Sequence, residues 1–380
     1  MVIGGTMIKI PELKIGNLIA KMPVIQGGMG VGISMSGLAA AVANEGGIGV
    51  ISSIGLGLMN NITGYSKKET NRIGLIDEIR KARVLTTGII GVNVMVALTD
   101  YDDLCKTALE EEIDILFIGA GLPLKIPNGV TIDFIKKVKT KIVPIVSSSR
   151  AAKLIFSSWA KRYDYVPDAV VVEGPLAGGH LGFNKDTIQN KENRLEEIVP
   201  EVVSELTSFE EKFGKKITVI AAGGIYSGQD ISKIMNIGAS GVQMGTRFVA
   251  TEECDADIEF KNAFIKSKEK DIVIIKSPVG LPGRAISNKF IEDVERGVKK
   301  PFKCDWKCLK TCNYKKALYC IAEALINAKN GDLISGFSFA GANAYKIDRI
   351  LSVKELMQTL KTEFEKIENY LHPVAGTIFA

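Results

Sequence analysis

The chain has 380 residues, of which 46% are hydrophobic and 24% are charged, so it is long enough to bury a large core. Its formal net charge of +5 is small and spread along the sequence, which excludes the concentrated basic stripe of a dedicated nucleic-acid-binding protein. The most apolar stretch, Leu38–Met59, is interrupted by Glu45 and several glycines, and the chain begins without the pattern of a signal peptide. Together with six cysteines, too few for a disulfide scaffold at this length, these features lead us to expect a cytoplasmic protein without a membrane partner.

Eight short apolar runs follow one another along the first two thirds of the chain. Most are continuous in Val, Ile and Ala, which is typical of strands that are buried on both faces. The runs are Met22–Met29, Gly47–Ser53, Ile89–Met95, Ile113–Ala120, Ile142–Ser147, Ala169–Glu173, Ile217–Ala222 and Gly241–Phe248.

Segments with helical spacing lie between these runs. They are Ser36–Asn44, Asp102–Glu111, Thr131–Lys139, Arg150–Lys161, Pro200–Phe213 and Asp230–Ile237. Eight alternations of strand and helix predict an α/β fold of the parallel (β/α)₈ type, a TIM barrel.

The regular alternation of strand and helix segments ends after Phe248. One apolar run, Asp271–Ile275, precedes a Pro- and Gly-rich loop at Ser277–Asn288, and a lysine- and cysteine-rich stretch follows at Lys299–Cys320. Two helical segments close the chain. We therefore predict a barrel domain at residues 1–250, a small substrate-covering, Cys-rich subdomain at 251–320, and a C-terminal helical segment at 321–380 that packs back on the barrel.

His180 is the leading candidate for catalysis because the chain has only two histidines. It follows an apolar run that ends in Glu173 and then Gly178-Gly179, so an ionisable ring is expected at the carboxyl end of a strand, where barrel active sites form. The other histidine, His372, lies in the C-terminal tail without such a setting.

Other strand ends carry glycines or suitably placed polar groups. Paired glycines at Gly223-Gly224 and the Gly245-Thr246 pair within the eighth run suit a phosphate site, because backbone N–H groups there are unshielded. The side-chain amide of Asn93 can both donate and accept hydrogen bonds, which suits a ring whose edge carries donors and acceptors. A dinucleotide fingerprint is excluded, because the third glycine of G-x-G-x-x-G counted from Gly28 falls on Ile33. The pattern favours a planar cofactor that bears a phosphate.

Five motifs occur in order between Pro23 and Phe248. They are GGMG at Gly27–Gly30, GVNVMVAL at Gly91–Leu98, EGPLAGGHLGF at Glu173–Phe183, AAGGI at Ala221–Ile225 and GVQMGTRF at Gly241–Phe248. Together they resemble the nitronate monooxygenase family, formerly called 2-nitropropane dioxygenase, which includes FMN-dependent enoyl-ACP reductases.

The resemblance implies a TIM barrel that binds FMN non-covalently, with His180 matching the active-site histidine of the family. By motif, Gly28 and Met29 would lie against the flavin, and Asn93 would contact its ring system. The resemblance also implies that Glu173 and Gly178 line the isoalloxazine. The residues implied at the phosphate end are Gly223, Gly224, Gln243, Gly245 and Thr246. Met244 is implied as a further cofactor-binding residue.

Two departures from the classical monooxygenases lean toward the reductases: Glu173 stands where Gln is usual, and Gly-Gly-Met replaces Ala-Pro-Met. The resemblance carried by the five motifs nevertheless predicts a nitronate monooxygenase that oxidises alkyl nitronates with O₂. Two alternatives remain, an NAD(P)H-dependent enoyl-ACP reductase and a non-catalytic flavin-binding subunit. The expected partner is a small molecule, a nitronate or an enoyl thioester, and a homodimer is the assembly to test.

Cys304, Cys308, Cys312 and Cys320 follow the spacing C-x₃-C-x₃-C-x₇-C, and on a helix the first three would share one face. Four thiols in so short a span suit zinc or an iron–sulfur cluster, yet the spacing matches no standard signature, so no residue is assigned as a metal ligand. Seven lysines lie in the same region, from Lys299 to Lys316. They form either a solvated face or a docking site for an acidic acyl carrier protein or a coenzyme A phosphate.

Overall fold

The computed structural model describes residues 8–59, 64–304 and 306–372. The strands are β1 Leu13–Ile15, β2 Leu18–Ala20, β3 Val24–Gln26, β4 Gly49–Ser52, β5 Ile90–Met95, β6 Ile115–Gly119, β7 Lys141–Val146, β8 Ala169–Glu173, β9 Gly179–His180, β10 Thr218–Ala222, β11 Gly241–Met244, β12 Ile272–Lys276 and β13 Pro282–Ile286. The α-helices are α1 Ser36–Asn44, α2 Leu56–Met59, α3 Lys67–Leu85, α4 Tyr101–Glu110, α5 Ile132–Lys137, α6 Ser149–Tyr163, α7 Leu195–Phe213, α8 Gly228–Asn236, α9 Thr246–Val249, α10 Ile258–Lys266, α11 Lys289–Glu295, α12 Ile321–Lys329 and α13 Val353–Leu371.

Eight parallel strands form a nearly closed barrel, which confirms the predicted TIM barrel. Their order is β3-β11-β10-β8-β7-β6-β5-β4, and a parallel bridge between Ile25 and Ile48 links the two outermost strands. All eight predicted apolar runs contribute a strand to this sheet.

Burial on both faces explains why the runs are continuous rather than alternating. In β8, Val171 belongs to the apolar cluster inside the barrel, whereas its neighbours Val170 and Val172 pack in the outer cluster between strands and helices. The hairpin β1–β2 places Leu13 and Ile15 in the inner cluster, so the barrel interior is filled by side chains.

A second sheet of three antiparallel strands, in the order β12-β13-β9, joins the segment after the barrel to the loop after β8. Gly283 pairs with His180 in this sheet. The prediction that Ser277–Asn288 is only a loop was therefore wrong, because β13 lies within it. Pairing with both neighbours outweighs its Pro and Gly content, and Pro282 stands at the first position of the strand, where a proline is tolerated.

Two other local predictions need correction. The run Gly241–Phe248 is not one strand, since β11 ends at Met244 and α9 begins at Thr246, so Gly245-Thr246 lies after the strand. Helix α3 went unpredicted because it is largely polar. Its start carries a sequence signal nonetheless, since the Ser66 side chain accepts a hydrogen bond from the Glu69 amide.

The predicted division into three domains stays a prediction, and its ends at residues 1–7 and 373–380 lie outside the described residues. In the segment after the barrel, β12, β13, α11 and α12 share an apolar cluster that includes Phe290, Tyr319 and Phe337. Helix α13 follows it, and Phe364 of α13 packs in the main core. Within the described residues, no helix is both long enough and apolar enough to cross a membrane.

Candidate active site

A cavity of about 280 Å³ lies at the carboxyl ends of the barrel strands. It is lined by the loops after β3, β8, β10 and β11 and by later residues, among them Phe339 and Asn343. Eleven of the twelve predicted site residues line it: Gly28, Met29, Glu173, Gly178, His180, Gly223, Gly224, Gln243, Met244, Gly245 and Thr246.

Asn93 is the predicted site residue that does not line the cavity. A Cβ atom on Gly28 would come within 2.5 Å of the Asn93 Cβ, so the two residues are in close contact behind the cavity wall. The Asn93 carbonyl accepts hydrogen bonds from the amide and the hydroxyl of Ser53. Packing against Asn93 is therefore one reason for a glycine at position 28, and the ring contact of Asn93 stays a prediction.

The paired glycines after β10 are held in a conformation that favours glycine. Gly223 and Gly224 have φ angles of +97° and +81°. A Cβ atom on Gly224 would lie 2.7 Å from the Leu176 Cβ, and one on Gly223 would lie 2.9 Å from the Gly174 carbonyl oxygen. Neither position accepts a side chain, so the cavity wall here is bare backbone.

Arg247 lines the cavity beside these glycines and was missed as a site residue by the sequence analysis. Its guanidinium carbon lies 4.4 Å from the centroid of the Tyr226 ring, and its Nε is buried without a hydrogen-bond partner among the described residues. A buried donor without a partner is unusual and suits an anionic ligand in the cavity. A basic residue directly after Gly245-Thr246 is the sequence signal that would have pointed to it.

His180 is a further residue that lines the cavity. Its Nε2 lies 2.7 Å from the Ser277 hydroxyl oxygen, and its ring packs edge-on against Phe339 with the centroids 5.0 Å apart. Burial lowers the pKa of His180 from 6.5 to about 4, so the imidazole is neutral at pH 7. No sequence pattern around Ser277 or Phe339 indicates that they contact His180, because both residues lie in the segment after the barrel.

Glu173, at the end of β8, also faces the cavity. Burial raises the pKa of its carboxyl group from 4.5 to about 7. Near neutral pH the side chain is therefore divided between an acid that donates a hydrogen bond and a carboxylate that accepts one.

The loop between Glu173 and His180 is held by Arg284 of β13, a second residue that the sequence did not reveal. Its Nη1 donates to the carbonyl oxygens of Pro175 and Ala177, at 2.6 Å each. Burial lowers the pKa of Arg284 to about 10, which leaves the guanidinium charged at pH 7.

The segment from Phe339 to Asn343 completes the wall and was also unpredicted. The Asn343 Nδ2 donates to the Gly224 carbonyl at 2.6 Å, and the Gly341 amide donates to the Thr246 hydroxyl at 2.8 Å. These bonds attach the segment to both of the loops that the sequence assigned to the phosphate.

An apolar recess of about 60 Å³ lies on the other side of His180. We define it by the residues that line it, which are Val31, Ser53, Ile54, Gly55, Leu58, Asn71, Met95, Leu98, Asp100, His180, Trp306, Cys308, Leu309, Ile321, Ala322 and Leu325. Since Val31, Ile54, His180 and Leu325 also line the main cavity, the two spaces are neighbours.

The fold and the site define a TIM-barrel enzyme with a glycine-walled cavity at the carboxyl ends of its strands. Comparison with known proteins gives the family. The family described as nitronate monooxygenase matches residues 12–363, and the chain belongs to that family. It is therefore a flavin-dependent oxidoreductase, as the sequence predicted, and family membership favours an enzyme over a non-catalytic subunit.

Individual relatives agree with this assignment. A protein named probable nitronate monooxygenase from Staphylococcus aureus (strain JH9) is 31% identical over 307 residues, which cover 72% of this chain and 78% of the relative. FabK from Thermotoga maritima superposes with a TM-score of 0.71 at 27% identity, covering 93% of this chain and 96% of FabK. Nitroalkane oxidase from Streptomyces ansochromogenes has a TM-score of 0.70 at 21% identity over 93% of this chain and 98% of its own, a likeness of fold alone.

Proposed function

We propose that the protein is an FMN-dependent nitronate monooxygenase that oxidises alkyl nitronates with O₂. The observation that carries this proposal is the position of His180, a neutral imidazole between the main cavity and the apolar recess. A nitronate has an anionic nitro end and an alkyl end. The imidazole can bind the nitro end, and the apolar recess can bind the alkyl end.

The residues of the main cavity fit FMN. The bare backbone at Gly223 and Gly224 suits its phosphate, because N–H groups there meet an anion without a side chain intervening. The Arg247 Nε, which has no partner among the described residues, adds a charged donor. Gly245 also leaves its backbone uncovered, and a Cβ atom on it would already touch the Met29 Sδ, at 3.4 Å. Glu173 suits the polar edge of the ring system.

When bound, FMN supplies the electron acceptor for the substrate. His180 orients the substrate. Because its imidazole is neutral, it presents one N–H donor, and the Ser277 hydroxyl can hold the other ring nitrogen in place. An N–H aimed at a nitro oxygen stabilises the negative charge without moving a proton.

Burial assists this arrangement in two ways. The apolar recess excludes water around the alkyl end of the substrate, which strengthens the hydrogen bond from His180. A protonated Glu173 avoids placing a second negative charge near an anionic substrate, and its raised pKa keeps part of the population in that form at pH 7.

An anaerobic stopped-flow titration tests the proposal. The purified yellow protein is mixed with ethyl nitronate and, separately, with NADH and NADPH while flavin absorbance is followed. Bleaching by the nitronate but not by the nicotinamides is the expected result. The released flavin is identified by chromatography, and FAD or no flavin in its place would contradict the cofactor assignment.

The second candidate is an NAD(P)H-dependent enoyl-ACP reductase. The lysine-rich segment favours it, because the Lys310 amide donates to the Ala97 carbonyl and so places the segment beside the loop after β5 at the barrel mouth. A basic surface there suits an acidic acyl carrier protein.

The reductase candidate predicts rapid bleaching by a nicotinamide that an enoyl thioester reverses. It also predicts that Lys303→Glu with Lys307→Glu weakens turnover of the carrier-bound substrate in a salt-dependent manner. The carrier protein as partner, the homodimer and the cytoplasmic location stay predictions.

A further inference from the structure

The cysteine-rich segment is irregular and not the helix on which Cys304, Cys308 and Cys312 would share one face. Among the described residues, no three His, Cys, Asp or Glu side chains are grouped to hold one metal ion. A cavity that none of these cysteines lines is the stronger candidate for a further ligand site.

This cavity, which we call the second cavity, adjoins the main cavity and has a volume of about 660 Å³. It is formed by the loop after β8, the start of α7, the loop after β10, helix α8 and strand β13. Among the residues that line it are Pro175, Ile188, Leu195, Ile225, Ile234 and Arg284. Its volume is in the range of sites that bind small organic molecules.

A shared wall separates the two cavities. Leu176, Gly223, Gly224 and Asn343 line both of them, whereas Arg247 lines the main cavity but not the second. Because we place the flavin phosphate on the side of Arg247, a ligand in the second cavity would bind beside the flavin and not in its place.

Arg284 is a buried cation that lines the second cavity, with 8% of its surface exposed. The hydrogen bonds of its side chain, to the carbonyl oxygens of Pro175 and Ala177, both come from Nη1. Among the described residues, Nε and Nη2 have no hydrogen-bond partner, yet neither atom is enclosed by protein. These donors are therefore open to the cavity.

No carboxylate neutralises Arg284 within the described part of the chain. Burial lowers its pKa, and no acidic side chain opposes this effect. A buried charge is costly unless it is paired with an opposite one, so an unpaired guanidinium beside an open space suits an anionic ligand. Its planar fork of donors fits the oxygens of a phosphate or a carboxylate.

The start of α7 supplies backbone donors to the same cavity. Helix α7 has 19 residues, and no side chain caps its N-terminus. The Ile198 amide donates to the Arg194 carbonyl, whereas the Leu195 and Glu196 amides have no partner among the described residues. Since Leu195 and Glu196 line the cavity, the positive end of the helix dipole adjoins it.

The described carboxylates that line the cavity, Glu196 and Asp230, are already engaged. Glu196 forms an ion pair with Lys233 at 2.6 Å. Asp230 accepts a hydrogen bond from the Ser227 amide at 2.9 Å, within the capping box of α8. The positive charge of Arg284 is therefore left for a ligand.

The remaining wall favours an organic anion over a free inorganic one. Ile188, Leu195, Ile225 and Ile234 line the cavity with aliphatic side chains, which suit an apolar or flat body. A phosphate suits the charged end better than a carboxylate does, because it has more oxygens to accept from both the guanidinium and the free amides.

We propose that the second cavity binds an organic phosphate, with the phosphate at Arg284 and the start of α7 and the organic body against the aliphatic wall. The proposal does not depend on the nitronate assignment, since it uses no residue that we place at the substrate. The shared wall at Gly223 and Gly224 puts this ligand next to the flavin.

Isothermal titration calorimetry on the flavin-loaded full chain tests the proposal with AMP, phenyl phosphate, benzoate and inorganic phosphate. AMP or phenyl phosphate should bind once per chain, at least about 10-fold more tightly than benzoate or inorganic phosphate, while the flavin stays bound. A preference for AMP indicates a nucleotide, and a preference for phenyl phosphate indicates a simpler organic phosphate. Binding of neither, equal affinity for benzoate or inorganic phosphate, or release of FMN would overturn the proposal.

Variants locate the site. Arg284→Lys keeps the positive charge but loses the fork, so the affinity for the tighter probe should fall by about 10-fold or more. Gln189→Glu adds a negative charge at an exposed residue that lines the cavity, and it should weaken binding as well. Gln358→Glu is the matched control, because it makes the same change at an exposed position of α13 outside the cavity, and it should bind the probe as the parent does.

If Arg284→Lys does not fold, the two glutamine variants still decide, because both side chains are exposed. Circular dichroism and flavin content show whether each variant keeps the parent fold. Weaker binding in Gln189→Glu than in Gln358→Glu at equal flavin content supports the second cavity as the site, and equal binding in the two would overturn it.

Discussion

Two parts of the wall of the main cavity, named below the glycine end and the histidine end, are built by different means. At the glycine end, formed by Gly223, Gly224, Gly245 and Thr246, the wall is mostly backbone from the barrel's own loops. At the histidine end, His180 is positioned by Ser277 and Phe339, which follow it by about a hundred residues or more. We therefore expect changes at the glycine end to affect cofactor retention and changes at the histidine end to affect turnover.

The largest effect is expected for His180→Ala, at the histidine end. Loss of a hydrogen-bond donor placed at the reacting group should lower kcat by about 100-fold or more while the flavin stays bound. Steady-state kinetics and the flavin-to-protein ratio measure the two effects. His372→Ala, at the only other histidine and an exposed position, is the control and should leave both unchanged. Loss of flavin from His180→Ala without a separate turnover defect would make the residue structural.

For Gly224→Ala, at the glycine end, we expect cofactor retention to be affected instead. A Cβ atom there would strain the backbone at φ +81° and lie too close to the Leu176 Cβ, so we expect flavin affinity to fall by about 10-fold or more. Gly214→Ala is a matched control, since φ is +61° there but nothing lies within 4 Å of the added atom. It should cost only about 1 kcal/mol of unfolding free energy and leave flavin titrations unchanged. Equal flavin loss in both variants would contradict a specific role of Gly224 in cofactor retention.

Arg247→Met tests the side chain at the same end. Removing a charged donor aimed at an anion should weaken flavin binding by about 10-fold, which corresponds to about 1.4 kcal/mol. Lys346→Met is the control, because Lys346 also lies over the Tyr226 ring, 5.8 Å from its centroid, but does not line the cavity. Fluorescence titration with FMN measures both, and an unchanged affinity for Arg247→Met would remove the residue from the cofactor site.

The same contrast separates what the sequence could predict from what it could not. The barrel and the glycine end were predictable because they depend on local patterns, namely continuous apolar runs and glycines directly after them. Arg284, Ser277 and Asn343 were not, because each reaches the site only through long-range pairing of β13 with β9 or through hydrogen bonds such as that from Asn343 to Gly224. No spacing rule links residues that distant in sequence.

The raised pKa of Glu173, another residue that lines the cavity, leads to a pH-dependent prediction. Its pKa rises from 4.5 to about 7 in the folded protein, so the stability from holding this proton is complete below pH 4.5 and is lost as the pH rises through 7. Glu173→Gln stays neutral throughout. It should therefore raise the unfolding free energy above pH 8 by about 2–3 kcal/mol relative to the parent, with no gain near pH 4.5. Urea unfolding at both pH values, with equal flavin present, measures this difference, and a gain independent of pH would contradict it.

The smallest expected effect concerns Ser277, which we treat as a positioning residue that acts through His180. Ser277→Ala removes the hydroxyl 2.7 Å from His180 Nε2, so we expect kcat to fall by about 3- to 10-fold at constant flavin content, in line with the loss of one hydrogen bond. Ser277→Thr keeps a hydroxyl and should restore most of the activity, which a purely structural defect would not do. Ser338→Ala is the control, because its buried hydroxyl has no partner among the described residues and its loss should leave kcat unchanged. If Ser277→Ala turns over as fast as the parent protein, the neutral imidazole is held by its packing against Phe339 alone, and the hydroxyl plays no part in setting which ring nitrogen faces the substrate.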